Sequence, residues 1–209
     1  YEERERNRSV PLPWIAAPDE GDYGGDLSKV RYSRTSAPFR TLDNEPADVD
    51  ARMKMAADRK YVYFRYEEKD MTARAHVGMD LWSNSLELHL HGAKRSDLLQ
   101  IAIAPSGEVK AFSSVVEAGV RRRDGFANPP KARSVVTDEG WSVEIAIPYS
   151  MLPGGIPGPH FDRIGANFFR TRGWPGGRAL AWSPIFKKAY LDVEDRLGCL
   201  AFCALSRKK

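Results

Sequence analysis

From position 49 onward, apolar and polar residues alternate along many short segments of the chain. Leu86, Leu88 and Leu90, for example, are each separated by one polar residue. Because successive side chains of a β-strand point to opposite faces, this period of two predicts strands with one face in a core. Predicted strands lie at 53–57, 61–66, 85–92, 99–104, 109–112, 132–137, 141–147, 164–171, 180–182 and 199–205.

Short groups of turn-forming residues separate these segments, as at 58–60, 105–107 and 138–140, and they predict hairpins. Long helical periodicity is absent, with one short helix expected near 148–152. The pattern predicts an all-β fold, an antiparallel β-sandwich of jelly-roll or immunoglobulin-like type with long loops and at most short helices. We assign 1–26 to an extended N-terminal segment packed on the domain, 27–205 to the sandwich and 206–209 to a tail.

Composition narrows the class of protein. The chain has 209 residues, 42% of them hydrophobic, and a net charge of +4. This charge is too small to indicate nucleic acid by itself, and no apolar run approaches the roughly 20 residues that cross a bilayer. We therefore expect no nucleic-acid partner and no membrane span. The chain opens at Tyr1 without an initiator Met, and we interpret it as a processed or excised piece.

The two cysteines, Cys199 and Cys203, are four residues apart in a predicted strand. At strand spacing their Cα atoms lie about 13 Å apart, whereas a disulfide needs about 7 Å or less. We expect both to be buried free thiols.

The order of several segments resembles the family 9 carbohydrate-binding modules and the wider DOMON-like group of sandwiches. The matching residues are 51–58, 61–64, Asp70, 82–88, 100–103, Gly107, 141–148, 165–170, 182–183 and 197–200. The similarity covers roughly 27–205. It implies a non-catalytic sugar-binding domain, ancillary to a covalently linked catalytic domain in a larger secreted or periplasmic polysaccharide-active protein.

Four positions depart from the family pattern. Trp82 is offset by one residue from the family's sugar-stacking Trp. Asn84 stands where the family usually has Asp, and Ala102 stands where some members have Arg. Tyr190 corresponds loosely to the second sugar-stacking aromatic residue, which is a Trp in the family.

Sugar recognition needs flat aromatic faces and planar polar groups that contact vicinal hydroxyls. The candidate residues are Trp82, Trp174 and Tyr190 for stacking and Glu87, Gln100, Asn167 and Arg170 for polar contacts. Core packing is the alternative for each Trp, and a salt bridge across the sheet is the alternative for Glu87. Trp141 and Trp182 are expected in the core.

Metal and haem chemistry are alternative functions of the same strands. Glu87, His89 and His91 share one strand face and could hold zinc or copper. In a DOMON-like haem domain, Met53 or Met55 would pair with His89 or His91 as axial ligands. A further alternative is a structural or docking domain without a small ligand. The one other cofactor considered is structural calcium at Asp43, Asp48 or Asp50.

The charged segment Arg121-Arg122-Arg123-Asp124 predicts a solvated loop, with binding of a sulfated or uronic polysaccharide through bidentate arginine contacts as the alternative. No catalytic motif stands out, and Glu87 and Glu144 do not make an assignable catalytic pair. We therefore expect a binding domain and not an enzyme.

Overall fold

The computed structural model describes residues 14–17, 22–32, 34–92, 97–118, 120–154, 163–186 and 197–202. Three short 3-10 helices lie at Leu27–Lys29, Ala73–His76 and Tyr149–Met151, the last where the sequence predicts a short helix. The strands are β1 (Trp14–Ala17), β2 (Arg34–Thr35), β3 (Arg40–Thr41), β4 (Asp50–Ala57), β5 (Tyr61–Lys69), β6 (Asn84–His91), β7 (Leu98–Ile103), β8 (Val109–Glu117), β9 (Val120–Gly125), β10 (Ala132–Val136), β11 (Gly140–Pro148), β12 (Arg163–Arg172), β13 (Leu180–Ala181) and β14 (Gly198–Phe202). Within the described ranges, no helix is long and apolar enough to cross a membrane.

The strands form two sheets. The larger sheet has the order β1-β14-β12-β6-β7-β8-β9, with β13 beside β12 and β3 beside β13. The smaller sheet has the order β10-β11-β5-β4-β2. Paired strands are antiparallel except for β1 and β14, which run parallel. The predicted all-β antiparallel sandwich is confirmed, as are the hairpins β4–β5, β7–β8 and β10–β11.

One segment predicted as a loop is a strand. Arg121, Arg122 and Arg123 lie in β9, which pairs with β8 from Phe112 to Glu117. The strand β8 continues five residues beyond its predicted end and offers a free edge for this pairing. Charged side chains are common on such edge strands because they remain in water and oppose pairing with other molecules.

The core lies between the two sheets and is built from the apolar face of each strand. Phe64 of the smaller sheet and Phe168 of the larger sheet meet edge to face, with ring centroids 5.3 Å apart. Leu88 is fully buried beside them in the same cluster. Trp141 and Trp182 are 2% exposed and belong to this core, as predicted.

The sequence indicates Arg170 as a residue that contacts sugar. The structure places its side chain inside the sandwich. Its side chain points from β12 toward the smaller sheet, where Nε lies 2.7 Å and Nη2 3.2 Å from the carboxylate oxygens of Glu68. Tyr66 donates its hydroxyl proton to the same carboxylate, and Asn84 accepts a bond of 2.6 Å from Arg170. The guanidinium also lies 4.6 Å from the Trp141 ring. Because both charged groups are fully buried, each depends on the other for compensation.

Breaking this ion pair should destabilise the fold strongly. We expect Glu68→Leu and Arg170→Met each to lower the free energy of unfolding by roughly 3 kcal/mol or more, since each leaves an unpaired buried charge. The double variant Glu68→Leu with Arg170→Met should cost clearly less than the sum. Urea denaturation measures all three.

The matched control is Glu67→Gln, which removes the partly exposed ion pair of Lys54 and Glu67 and should cost less than about 1 kcal/mol. Additive costs in the Glu68–Arg170 double-mutant cycle would contradict the coupling.

Asp58 joins the described part of the N-terminal region to the turn between β4 and β5. Its carboxylate accepts hydrogen bonds from the hydroxyl of Tyr63 and the backbone N–H groups of Tyr23, Gly24, Lys60 and Tyr61. Burial alone would raise the pKa of Asp58, but the hydrogen bonds from Tyr63 and the backbone outweigh it and lower the pKa. These bonds therefore favour the ionised carboxylate and tie residues 23–24 to the sandwich.

The Asp58 contribution to stability should depend on pH. Because its pKa is lower in the folded chain, the contribution is complete above the unfolded value of about 3.9 and is lost as pH falls toward the folded value. Asp58→Asn should cost about 1–3 kcal/mol at pH 7. The difference from the wild type should shrink below about pH 4, as measured by urea denaturation at several pH values. A difference that stays constant down to pH 2 would contradict this role.

Candidate functional site

Strands β6 to β9 and β12 carry polar and aromatic side chains on the side of the larger sheet that faces away from the core. The strand registers place His89 beside Gln100 and Gln100 beside Phe112. Arg123 lies beside Ser114, which is on the same side as Phe112 because it follows two residues later. We call this side, with Glu87, Gln100, Phe112 and Arg123, the outer face.

A chain of polar contacts crosses the outer face from β12 to β9. Glu87 accepts hydrogen bonds from Gln100 Nε2 at 2.8 Å and from the Thr171 hydroxyl at 3.3 Å, and His89 Nε2 lies 3.3 Å away. The amide oxygen of Gln100 in turn accepts a 2.8 Å bond from Arg123 Nη2. Gln100 therefore connects the carboxylate to the guanidinium without direct contact between the two charges.

The Glu87 carboxylate is held in its ionised form. Burial alone would raise the pKa of Glu87, but contacts with His89, Gln100 and Thr171 outweigh burial and lower it. A carboxylate of this kind accepts hydrogen bonds and does not donate a proton near neutral pH. Its arrangement suits an acceptor that orders neighbouring side chains better than a general acid.

Trp82 adds an exposed aromatic surface to the outer face. It lies in the turn before β6, where the Asp80 carboxylate accepts hydrogen bonds from the backbone N–H groups of Trp82 and Ser83. The Trp82 ring lies 6.0 Å from the Phe112 ring, and the Arg123 guanidinium lies 3.8 Å from the centroid of Phe112. These three side chains form a surface that we call the aromatic platform.

The aromatic platform is accessible, whereas the polar groups behind it are largely covered. Trp82 is 44% exposed and Arg123 is also exposed, but Glu87 and Gln100 are each only 5% exposed. A ligand on this face would therefore meet the Trp82 ring and the Arg123 guanidinium first. The structure brings the candidates Trp82, Glu87 and Gln100 to the same face. Alternation along β6 and β7 indicates this for Glu87 and Gln100, whereas Trp82 reaches the face from the turn before β6.

Asn167 lies on the outer face, but its side chain is occupied by the protein. Its Nδ2 donates to the carbonyl oxygen of Ser183 at 2.7 Å, and its Oδ1 accepts from the Ser183 N–H at 2.9 Å. Asn167 is fully buried. It therefore fixes the segment after β13 to β12 and is not presented to a ligand.

Arg170 and Trp174 are not part of the outer face. Arg170 is the core arginine paired with Glu68. Trp174 stacks on the imidazole of His76 at 4.1 Å and lies 5.2 Å from the guanidinium of Arg172. Among the described residues, no contact joins either of them to Gln100 or Arg123. Tyr190, the remaining aromatic candidate, lies outside the described residues, as does Cys203, and nothing is described of the Cys199 side chain.

The histidine and methionine candidates for metal and haem lie on different sheets. His89 and His91 lie on the outer face of β6, whereas Met53 and Met55 are fully buried in the core between the sheets. The larger sheet therefore stands between these histidines and methionines, and they do not form an axial pair. Among the described residues, no group of three or more His, Cys, Asp or Glu side chains is arranged to hold a metal ion.

The aspartates considered for calcium are engaged by arginines where the structure shows contacts. Asp48 lies 2.6 Å from Arg172 Nη1, and Asp50 lies 2.9 Å from Arg52 Nε. A guanidinium competes with a cation for the same carboxylate oxygens. Asp43 is in the turn after β3, and among the described residues no contact joins it to Asp48 or Asp50.

The two carboxylates weighed for glycoside hydrolysis are on opposite sides of the molecule. Glu87 lies on the outer face of the larger sheet, while Glu144 pairs with Arg65 and Arg133 on the solvent side of the smaller sheet. Two carboxyl groups that act on one glycosidic bond lie about 5–10 Å apart. Glu87 and Glu144 therefore cannot act as such a pair.

The sequence alone did not indicate Phe112 or Thr171 as residues of the outer face, and it did not show that Arg123 lies there. The strand containing Phe112 was predicted, but its pairing with β7 at Gln100 depends on the register. Arg123 was part of a recognised basic segment, and the strand alternation of β9 would have placed it on the same side as Phe112. Thr171 ends a predicted strand, and its contact with Glu87 follows from the β6–β12 register.

No family model matches the chain, and no curated protein matches it. Solved structures do. A candidate carbohydrate-binding protein from Bacteroides uniformis is similar with a TM-score of 0.68 and 14% identity, over 92% of this chain and 100% of that one.

A family 9 carbohydrate-binding module from Caldicellulosiruptor kristjanssonii is similar in its complex with glucose (TM-score 0.59, 15% identity, 94% of this chain and 98% of that one). The same module with cellotriose gives a TM-score of 0.59 and 15% identity, over 93% of this chain and 95% of that one. The resemblance read from the ordered sequence segments is thus confirmed at the level of the fold: the chain is a β-sandwich similar to family 9 carbohydrate-binding modules.

Proposed function

We propose that this chain is a non-catalytic carbohydrate-binding module that holds an oligosaccharide or polysaccharide on the outer face. The observation that carries the proposal is the aromatic platform, where the exposed Trp82 ring lies beside Phe112 and Arg123. The fold shared with the sugar complexes of the Caldicellulosiruptor module supports it.

The contacts of the platform match the two chemical sides of a sugar ring. The apolar C–H side of a pyranose packs against a flat aromatic ring, which Trp82 supplies with 44% of its surface exposed. Hydroxyl groups at the ring edge need planar polar groups, which the Arg123 guanidinium supplies next to the ring while the covered Gln100 amide holds it in place. The Glu87 carboxylate fixes the Gln100 amide and thereby orients its oxygen toward Arg123.

A binding role also fits the shape and chemistry of the outer face. The polar chain lies on regular strands, which hold side chains more rigidly than loops do. The low pKa of Glu87 favours an acceptor over a proton donor. We further propose that the module is an ancillary domain of a secreted or periplasmic polysaccharide-active protein and is covalently linked to a catalytic domain.

Removal of the exposed indole should abolish most of the binding. We expect Trp82→Ala to weaken binding of cello- or xylo-oligosaccharides at least about tenfold, because a central aromatic anchor contributes roughly 2 kcal/mol or more. Affinity gels with soluble polysaccharides identify the ligand, and titration calorimetry gives the dissociation constants.

The matched control is Val135→Ala on the smaller sheet, where the side chain is 43% exposed. This variant should bind as the wild type does. Failure of the wild type to bind any glycan in a broad array, or unchanged binding by a folded Trp82→Ala variant, would contradict the proposal.

A further inference from the structure

Arg123 is held differently from four other arginines that lie on the sheets. On the solvent side of the smaller sheet, Arg52, Arg65 and Arg133 each contact a carboxylate, and Arg170 does so in the core. No carboxylate among the described residues lies within ion-pair distance of Arg123. Its guanidinium is instead held by a neutral amide and by aromatic rings.

These neutral contacts fix the plane of the Arg123 guanidinium without neutralising its charge. The group lies 3.8 Å from the centroid of Phe112 and 5.9 Å from that of Trp82, and Nη2 donates to the Gln100 oxygen at 2.8 Å. A guanidinium has five N–H donors in a planar fork. The bond to Gln100 uses one donor, and the residue is exposed, so an edge of the fork is available to a ligand on the platform.

The charged residues near Arg123 do not neutralise its guanidinium. Lys110, which neighbours Phe112 on β8, contacts Glu108 at 3.1 Å, and Arg122 points to the other side of β9, where it lies 3.8 Å from Glu117. The Glu87 carboxylate is buried and separated from Arg123 by the Gln100 amide. Arg123 is thus a preorganised cation beside an exposed aromatic ring.

We propose that Arg123 recognises the carboxylate of an acidic sugar residue, a uronic acid, whose ring packs on Trp82. The inference rests on the proposed function and adds to it the class of glycan. A carboxylate is planar with two oxygens at the spacing of the guanidinium donors, so it can form two parallel charge-assisted hydrogen bonds. A neutral hydroxyl forms weaker bonds with the same group.

The test compares oligogalacturonate with its methyl ester, because the ester keeps the sugar backbone and removes the charge. Titration calorimetry should show that the wild type binds the acid at least about tenfold more tightly than the ester. Arg123→Gln should reduce this preference to about twofold or less. Arg123→Lys should keep part of the preference, since lysine has the charge but not the planar fork.

The matched control is Arg122→Gln, which removes the same charge from the neighbouring position on the opposite side of β9 and should leave the preference unchanged. Equal loss in both arginine variants would show a general charge effect and overturn the inference. So would a wild type that binds the acid and the ester equally, or one that binds dextran sulfate as tightly as oligogalacturonate.

These outcomes are separable from failure of the proposed function. If neutral oligosaccharides bind in a Trp82-dependent manner without preference for the acid, the module binds glycans and only the uronic-acid inference falls. If no glycan binds, or if Trp82→Ala has no effect, both fall.

Discussion

The two-residue period of the strands is the constraint on which the remainder of the structure depends. It places Leu88 of β6 in the core between the sheets and therefore turns Glu87 and His89 away from it. A register shift of one residue would exchange these sides and bury the polar groups among the apolar ones. The outer face is thus a direct consequence of how the core is filled, and its side chains are aligned in rows because neighbouring strands share that register.

Buried charge limits which polar residues can serve a ligand. Arg170 of the larger sheet and Glu68 of the smaller sheet form an ion pair inside the core. Each buried charge needs the other for compensation. Asn167 has a comparable structural role with Ser183. Polar residues that a sequence pattern assigns to binding are therefore divided by the fold into those that stabilise the sandwich and those that remain accessible, such as Arg123.

The sequence predicted the fold well because strand alternation and turn residues are local signals. The hairpin of β4 and β5 and the core position of Trp141 follow from such signals alone. The site was predicted only in part. Alternation along β12 already puts Arg170 on the same side as the core residue Phe168, whereas alternation along β6 turns Glu87 away from the core. Both were assigned to sugar contact by residue type, and only the packing of the two sheets brings Glu68 to Arg170 as its buried partner. The position of Arg123 depended on the segment 120–125 being a strand that pairs with β8, whereas its charged residues are typical of a loop. Tyr190 stays a prediction.

The most direct test of the account is an NMR titration of the protein with a glycan that binds it, following the indole and arginine side-chain N–H resonances. The chain has five tryptophans, so each indole signal can be assigned by substitution. The account predicts that the Trp82 indole and the Arg123 Nε signal shift together with saturation, while the signals of the core residues Trp141 and Arg170 stay in place. Saturable shifts at Trp174 and Arg172, with Trp82 and Arg123 unchanged, would contradict the assignment of the outer face as the binding site.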